Sequence, residues 1–175
     1  MRTVIWDLEC SNLRSDIGTL LVASFADLDA EGRVVRMRTQ DINSAGGEKN
    51  LVKFVHDQVS GADILIGHNS VAFDRNYVNG VLTRHKMKRL PTRWHLDTMH
   101  IAKGKLLWQS VSLENLADVL GVGKKDKPSK NDWREANILD EAALKRLRTR
   151  CEADVRVTGA VFVALKDLWH ERYGR

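Results

Sequence analysis

The feature that most constrains this chain is the stretch TVIWDLEC, residues 3–10. Val4, Ile5, Trp6 and Leu8 favour a buried strand, yet Asp7 and Glu9 interrupt the apolar run. Successive strand side chains point to opposite faces, so residues two apart share a face with their bases roughly 6.5 to 7 Å apart. Asp7 and Glu9 therefore point the same way. Two anions on one face of a central strand repel each other and lose hydration, so a positive partner must lie nearby.

The rest of the pattern surrounds this strand with a mixed sheet. Residues 20–28 (LLVASFADL) and 33–39 (RVVRMRT) read as two more strands joined by a turn at Gly32, which makes an antiparallel start. Residues 47–61 place Leu51, Phe54, Val55 and Val59 at helical spacing and stop at Gly61. A short buried strand over 62–69 and a helix over 73–86 follow, then a strand over 93–98 and a helix over 112–122 with Ser112 as N-cap. That alternation implies a parallel portion of sheet. The lysine-rich stretch 123–137 reads as a solvated loop. From Asp140 to about Trp169 one helix is expected, with Cys151, Val155, Thr158, Phe162, Leu165 and Trp169 forming the stripe that docks on the sheet.

A chain of 175 residues fits a single domain, and no linker or repeat suggests a second. No apolar run reaches the roughly 18 residues of a membrane span, and the N-terminus enters the strand without a signal-peptide pattern, so a soluble, cytoplasmic protein without a membrane partner is expected. Cys10 and Cys151, the two cysteines, fit neither a disulfide framework nor a zinc spacing and are expected reduced and buried. The formal charge of +5 suits an anionic partner, all the more if several carboxylates are committed to metal.

Two later segments also place an acid at the edge of an apolar element. In GHNSVAFD, Asp74 opens a helix, either as a cap at the positive end of the helix dipole or as a site residue. In RTRCEADVRVTG, Asp154 precedes Val155 of the docking stripe and so faces the sheet margin. Together with DLE at residues 7–9, these motifs resemble the DEDD superfamily of 3′–5′ exonucleases, which has the ribonuclease H-like fold. The second motif, NSVAFD, is similar to the Asn-x-x-x-Phe-Asp form of proofreading domains in family B DNA polymerases.

The resemblance implies an α/β domain with a central sheet of about five strands, the first three antiparallel and the remainder parallel, flanked by helices. It implies that Asp7, Glu9 and Asp154 hold one divalent cation, and that Asp7 bridges to a second supported by Asp74 through water. Oxygen donors of this kind suit Mg²⁺ or Mn²⁺. The expected reaction is hydrolytic release of nucleoside monophosphates from a 3′ end, on single-stranded DNA first and RNA second, with recruitment by replication or repair proteins. By the same resemblance Cys10, Ser11, Asn12 and Leu13 bind the terminal nucleotide, with backbone N–H groups and Ser11 near the 3′ hydroxyl and Leu13 against the base. Phe73 stacks on a base or ribose, or anchors its helix; His68 and Asn69 fix the loop or touch substrate. Lysines 124, 125, 127 and 130 are candidate phosphate guides.

One departure stands out. The family places a Tyr four residues, or a His five residues, before the last Asp; here those positions hold Arg150 and Thr149. Arginine stays protonated and cannot be a general base, so either the metal alone activates the water, another group substitutes, or catalysis is weak. Arg150 is expected either to pair with the acids without metal and act electrostatically at the scissile phosphate, or to be a solvent-exposed arginine beside Arg146 and Arg148. Two alternatives remain: a nucleic-acid-binding module with weak or lost catalysis, and a ribonuclease H- or resolvase-like endonuclease.

Overall fold

The strand that carries the two carboxylates, β1 (Thr3–Cys10), runs down the middle of a five-stranded sheet ordered β3-β2-β1-β4-β5. The structure, a computed structural model, describes residues 1–123 and 130–173. β1 pairs antiparallel with β2 (Leu20–Leu28), and β2 with β3 (Val34–Asp41). On the other side β1 pairs parallel with β4 (Ile64–Gly67), and β4 with β5 (Trp94–Asp97). This is the expected ribonuclease H-like sheet.

Register explains where the sheet opens. Pairing of β1 with β4 covers Thr3 to Ile5, whereas pairing with β2 continues to Cys10 with a register shift between Glu9 and Cys10. β1 therefore outruns β4 at its carboxyl end, where the sheet changes from antiparallel to parallel and a crevice forms. Asp7 and Glu9 lie in that overhang.

Both faces of the sheet are covered. Trp6 stacks on Phe25, which meets Phe54 of α1 (Glu48–Ser60) edge-on. α2 (Asp74–Arg84) adds buried Tyr77, Val78, Val81 and Leu82 to the same core. On the opposite face α6 (Glu141–Ala164) crosses the sheet, with Val155 packed near Ile5 and Ile66. Gly159 lets this helix approach closely: a Cβ there would lie 2.6 Å from Val34 Cγ2 and 2.7 Å from Ile5 Cδ1. Ile5, Asp7 and Glu9 thus share the face that meets α6, as strand alternation requires.

α4 (Leu113–Leu120) begins at the expected cap, the Ser112 hydroxyl accepting from the Asn115 N–H, and ends at Gly121 in the left-handed conformation. Three elements differ from the sequence reading. α3 (Thr98–Lys105) follows β5 directly, because the Asp97 carboxylate accepts from the Met99 and His100 amides and starts a helix where none was expected. α5 (Lys130–Asn137) occupies the second half of the stretch read as a loop. The single helix expected to reach Trp169 is broken at Leu165, and α7 (Lys166–Tyr173) continues separately. Among the described residues no helix is long and apolar enough to cross a membrane.

Candidate active site

Three of the four sequence-derived acids converge. One carboxylate oxygen each from Asp7, Glu9 and Asp154 lies within 4.8 Å of the others. β1 supplies the first two, and α6, docked by Cys151 and Val155, supplies the third. Glu9 and Asp154 are buried and Asp7 is half-buried. An all-oxygen donor set this compact fits a hard divalent cation such as Mg²⁺ or Mn²⁺.

The positive partner demanded by this cluster is Arg150. Its Nε donates to Glu9 Oε1 at 2.6 Å, and its NH2 lies 3.8 Å from Asp154 Oδ2. Arg150 precedes Asp154 by one helical turn, so both project from the same side of α6. The other oxygen, Glu9 Oε2, accepts from the indole N–H of Trp133 at 2.9 Å, and the Arg150 guanidinium carbon sits 5.2 Å from that ring's centre. Burial pushes the Glu9 carboxyl above its usual range; Arg150 and the Trp133 hydrogen bond oppose the shift, and Asp154 adds to it. Trp133 was missed in the sequence because it is one aromatic in a polar stretch. The available signal was its pairing at helical spacing with Ala136, which is fully buried.

Asp74 stands beside the trio but not in it. It is the first residue of α2; Phe73 is the N-cap, so Asp74 does not cap the helix with its side chain. Burial, with Asp97 and Glu9 adding repulsion, pushes its carboxyl up to about 7, while its own amide and that of Leu8 favour the charge. Asp74 is therefore held ready to ionise, and an added cation would complete that change.

Next to Glu9 opens a cavity of about 360 Å³ lined by Leu8, Glu9, Cys10, Ser11, Asn12, Leu13, Phe73 and Trp133. All four residues of the CSNL segment and Phe73 are thus brought together around one cavity. Ser11 and Asn12 also shape their loop: Ser11 Oγ accepts from the Thr19 N–H and Asn12 Oδ1 from the Arg14 N–H. Leu13 is 77% exposed at the cavity's edge. Phe73 lines the cavity and also packs beside Tyr77, with ring centres 5.7 Å apart, on the main core. Cys10 is half-buried rather than buried, and burial near Asp74 and Glu9 pushes its thiol up to about 12. Cys151 is buried, and its thiol donates to the Asp7 carbonyl and to Asp7 Oδ2. Burial is the chief cause that favours the protonated thiol at both cysteines.

His68 and Asn69 do not line the cavity. The His68 Nδ1 lies 2.9 Å from the Thr98 hydroxyl, and Asn69 adopts a left-handed φ of 59° while its N–H donates to Asp97 Oδ1. The Val71 N–H donates to Asp97 Oδ2. The Asp97 carboxylate, unnoticed in the sequence, thereby fixes the loop that delivers Asp74. Of the lysines expected to guide phosphates, 124, 125 and 127 fall outside the described residues, as does the side chain at 130.

Comparison with known proteins bears on the fold that carries this site. The RNase H superfamily matches residues 4–165, from the start of β1 to the end of α6. Among solved structures, the chain is similar to the family B DNA polymerase from the hyperthermophilic archaeon Pyrobaculum calidifontis, with a TM-score of 0.75 and 16% identity over 95% of this chain. The match takes up 24% of the polymerase, and at that identity it speaks for the fold alone. No curated protein sequence gives a match. The superfamily match thus spans the strand that carries Asp7 and Glu9, the helix that carries Asp154 and the whole sheet between them, and the chain belongs to the RNase H superfamily.

Proposed function

We propose that the protein is a metal-dependent 3′–5′ exonuclease that releases nucleoside monophosphates from single-stranded nucleic acid, DNA before RNA. The observation that carries this reading is the convergence of Asp7, Glu9 and Asp154 beside a cavity built from Cys10–Leu13 and Phe73. Asp7, Glu9 and Asp154, with Asp74 in support, would hold two divalent cations, Mg²⁺ or Mn²⁺, which would supply activation of water and stabilisation of the leaving 3′ oxygen. The chain's own residues do the rest. Ser11 and the loop amides meet the terminal sugar, Leu13 and Phe73 enclose the base, and Asp97 holds the loop leading to Asp74. Arg150 neutralises Glu9 in the free protein and turns to the scissile phosphate when substrate binds, where its fixed charge stabilises the transition state. The same reading takes DNA as the first substrate and a partner among replication or repair proteins.

A second reading, a binding module without chemistry, is favoured by one observation: the Arg150 guanidinium already sits on the carboxylates. One experiment tests both. A 5′-labelled single-stranded oligonucleotide incubated with Mn²⁺ should give a ladder shortening from its 3′ end, abolished by chelator, with circular single-stranded DNA left intact. Binding without shortening supports the module; cutting of the circle supports an endonuclease and refutes the end-dependent reading.

A further inference from the structure

Trp133 is the residue at which the carboxylates and the cavity meet. Its indole N–H donates to Glu9 Oε2, and the same residue lines the cavity with Leu13 and Phe73. Its place is firmly set. Arg146 of α6 donates to Asp132 at 2.8 Å and to Glu135 at 2.8 Å, flanking Trp133 on both sides in sequence, and Ala136 is buried one turn on.

The two partners of Glu9 differ in kind. Arg150 is a full cation on a long stem, so it competes with any other cation for the carboxylates. Trp133 is a neutral donor on a docked helix, and neutral donors of this sort remain beside a ligating carboxylate and hold its orientation. With Oε2 tethered to the indole, Oε1 is the oxygen that becomes available when Arg150 leaves. Departure of Arg150 also uncovers the face of the indole that the guanidinium overlies.

We infer, resting on the nuclease reading above, that Trp133 is a positioning residue for Glu9 and also a stacking wall, in the cavity it shares with Leu13 and Phe73, for the base of the terminal nucleotide. It selects a planar base without regard to sequence, because every base offers a π-face. Cation binding at Glu9 and base binding in the cavity meet in this one side chain, which touches both.

Two variants separate the roles. Trp133→Phe keeps a ring and removes the donor; Trp133→Ala removes both. Binding of Mn²⁺ to the full chain is measured by electron paramagnetic resonance without nucleic acid. Binding of a 5′-fluorescein single-stranded oligonucleotide is measured by anisotropy in saturating Ca²⁺. Both variants should weaken Mn²⁺ by roughly tenfold or more, the usual loss for a partner of a metal ligand. Only the Ala variant should weaken the oligonucleotide, by about 5- to 150-fold, the loss of one aromatic–base stack. Trp133→Leu, which fills the volume without stacking, stands in for Ala if that variant melts early. Wild-type Mn²⁺ affinity in the Phe variant overturns the positioning role. Wild-type oligonucleotide affinity in the Ala or Leu variant overturns the stacking role, and equal oligonucleotide losses in Phe and Ala mark a merely structural residue. If the unmodified chain binds neither probe, the nuclease reading itself falls and this inference falls with it.

Discussion

Replacing Arg150 by alanine should destabilise the metal-free protein and relieve it again when cation is added. Glu9 and Arg150 side chains are only 8% and 17% exposed, so the pair is shielded from water and its loss is not a surface effect. Removing one partner of a buried ion pair costs about 3–5 kcal/mol, because the remaining charge is stranded. Two features moderate that cost: Trp133 still donates to Glu9, and Glu9, already pushed above its usual range, can take up a proton. A loss near the lower bound, about 3 kcal/mol, is expected, which for a domain of this size lowers Tm by roughly 6–12 °C. Thermal melts of wild type and Arg150→Ala in chelator measure this directly. In Mg²⁺ the gap should narrow, since the cation then supplies the charge that the guanidinium gave. Arg150→Met combined with Glu9→Gln should lose less than the two single changes together. Single-turnover cleavage by Arg150→Ala should fall by about 10- to 1,000-fold, while Arg150→Tyr restores the family's usual arrangement and part of the rate. A metal-free Tm for Arg150→Ala within 2 °C of wild type would refute the argument that Arg150 balances the cluster.

Asp74→Asn should raise metal-free stability above about pH 7: the native carboxyl, shifted up, holds its proton from the ordinary range to about 7, so native stability falls as pH rises through that window, and the amide removes the dependence; equal pH–Tm curves would contradict this. His95 runs the other way, its imidazole held down to about 4 chiefly by burial. The unfolded chain then binds the extra proton first, so acidification from pH 6.5 to 5 should cost up to about 2 kcal/mol in wild type and far less in His95→Gln, whose amide oxygen can still accept from Trp6 and Ser70; denaturant melts at both pH values decide it. Gly159→Val should destabilise by about 1–3 kcal/mol or more, since its side chain meets Val34 and Ile5 where helix and sheet touch; a neutral urea midpoint would show that α6 can lift off the sheet freely.

The sheet was legible because its signals are local. Alternation and apolar runs fixed β1 and β2, and Ser112 with Gly121 marked α4 from both ends. The carboxylates were legible for a different reason: Asp7 and Glu9 violate an otherwise apolar strand, and a violated pattern needs a chemical cause. What the sequence concealed depends on contacts between distant segments. Trp133 matters through Glu9, and Asp97 through the amides of Asn69 and Val71, and neither relation leaves a periodic trace. α5 was read as loop because its composition is polar; tertiary docking through Arg146 and Ala136 overrides that weak local preference. The resemblance sets Asp7, Glu9 and Asp154 on one cation and Asp74 apart; the structure brings the first three together, and burial, which no motif spacing carries, raises the Asp74 carboxyl.

The placement of Asp154 on α6 bears on how such an activity could arise during synthesis. β1 and β2 can pair as soon as both have left the ribosome, because they are neighbours in sequence. The third carboxylate arrives only with α6, after every strand of the sheet has been made. A nascent chain, or one cut short before α6, therefore carries the Asp7–Glu9 pair without Asp154, Arg150 or the helix that covers them. Such a fragment retains the repulsion and lacks the third carboxylate, so the three-acid cluster forms only once α6 has been made, by the same packing event that completes the core.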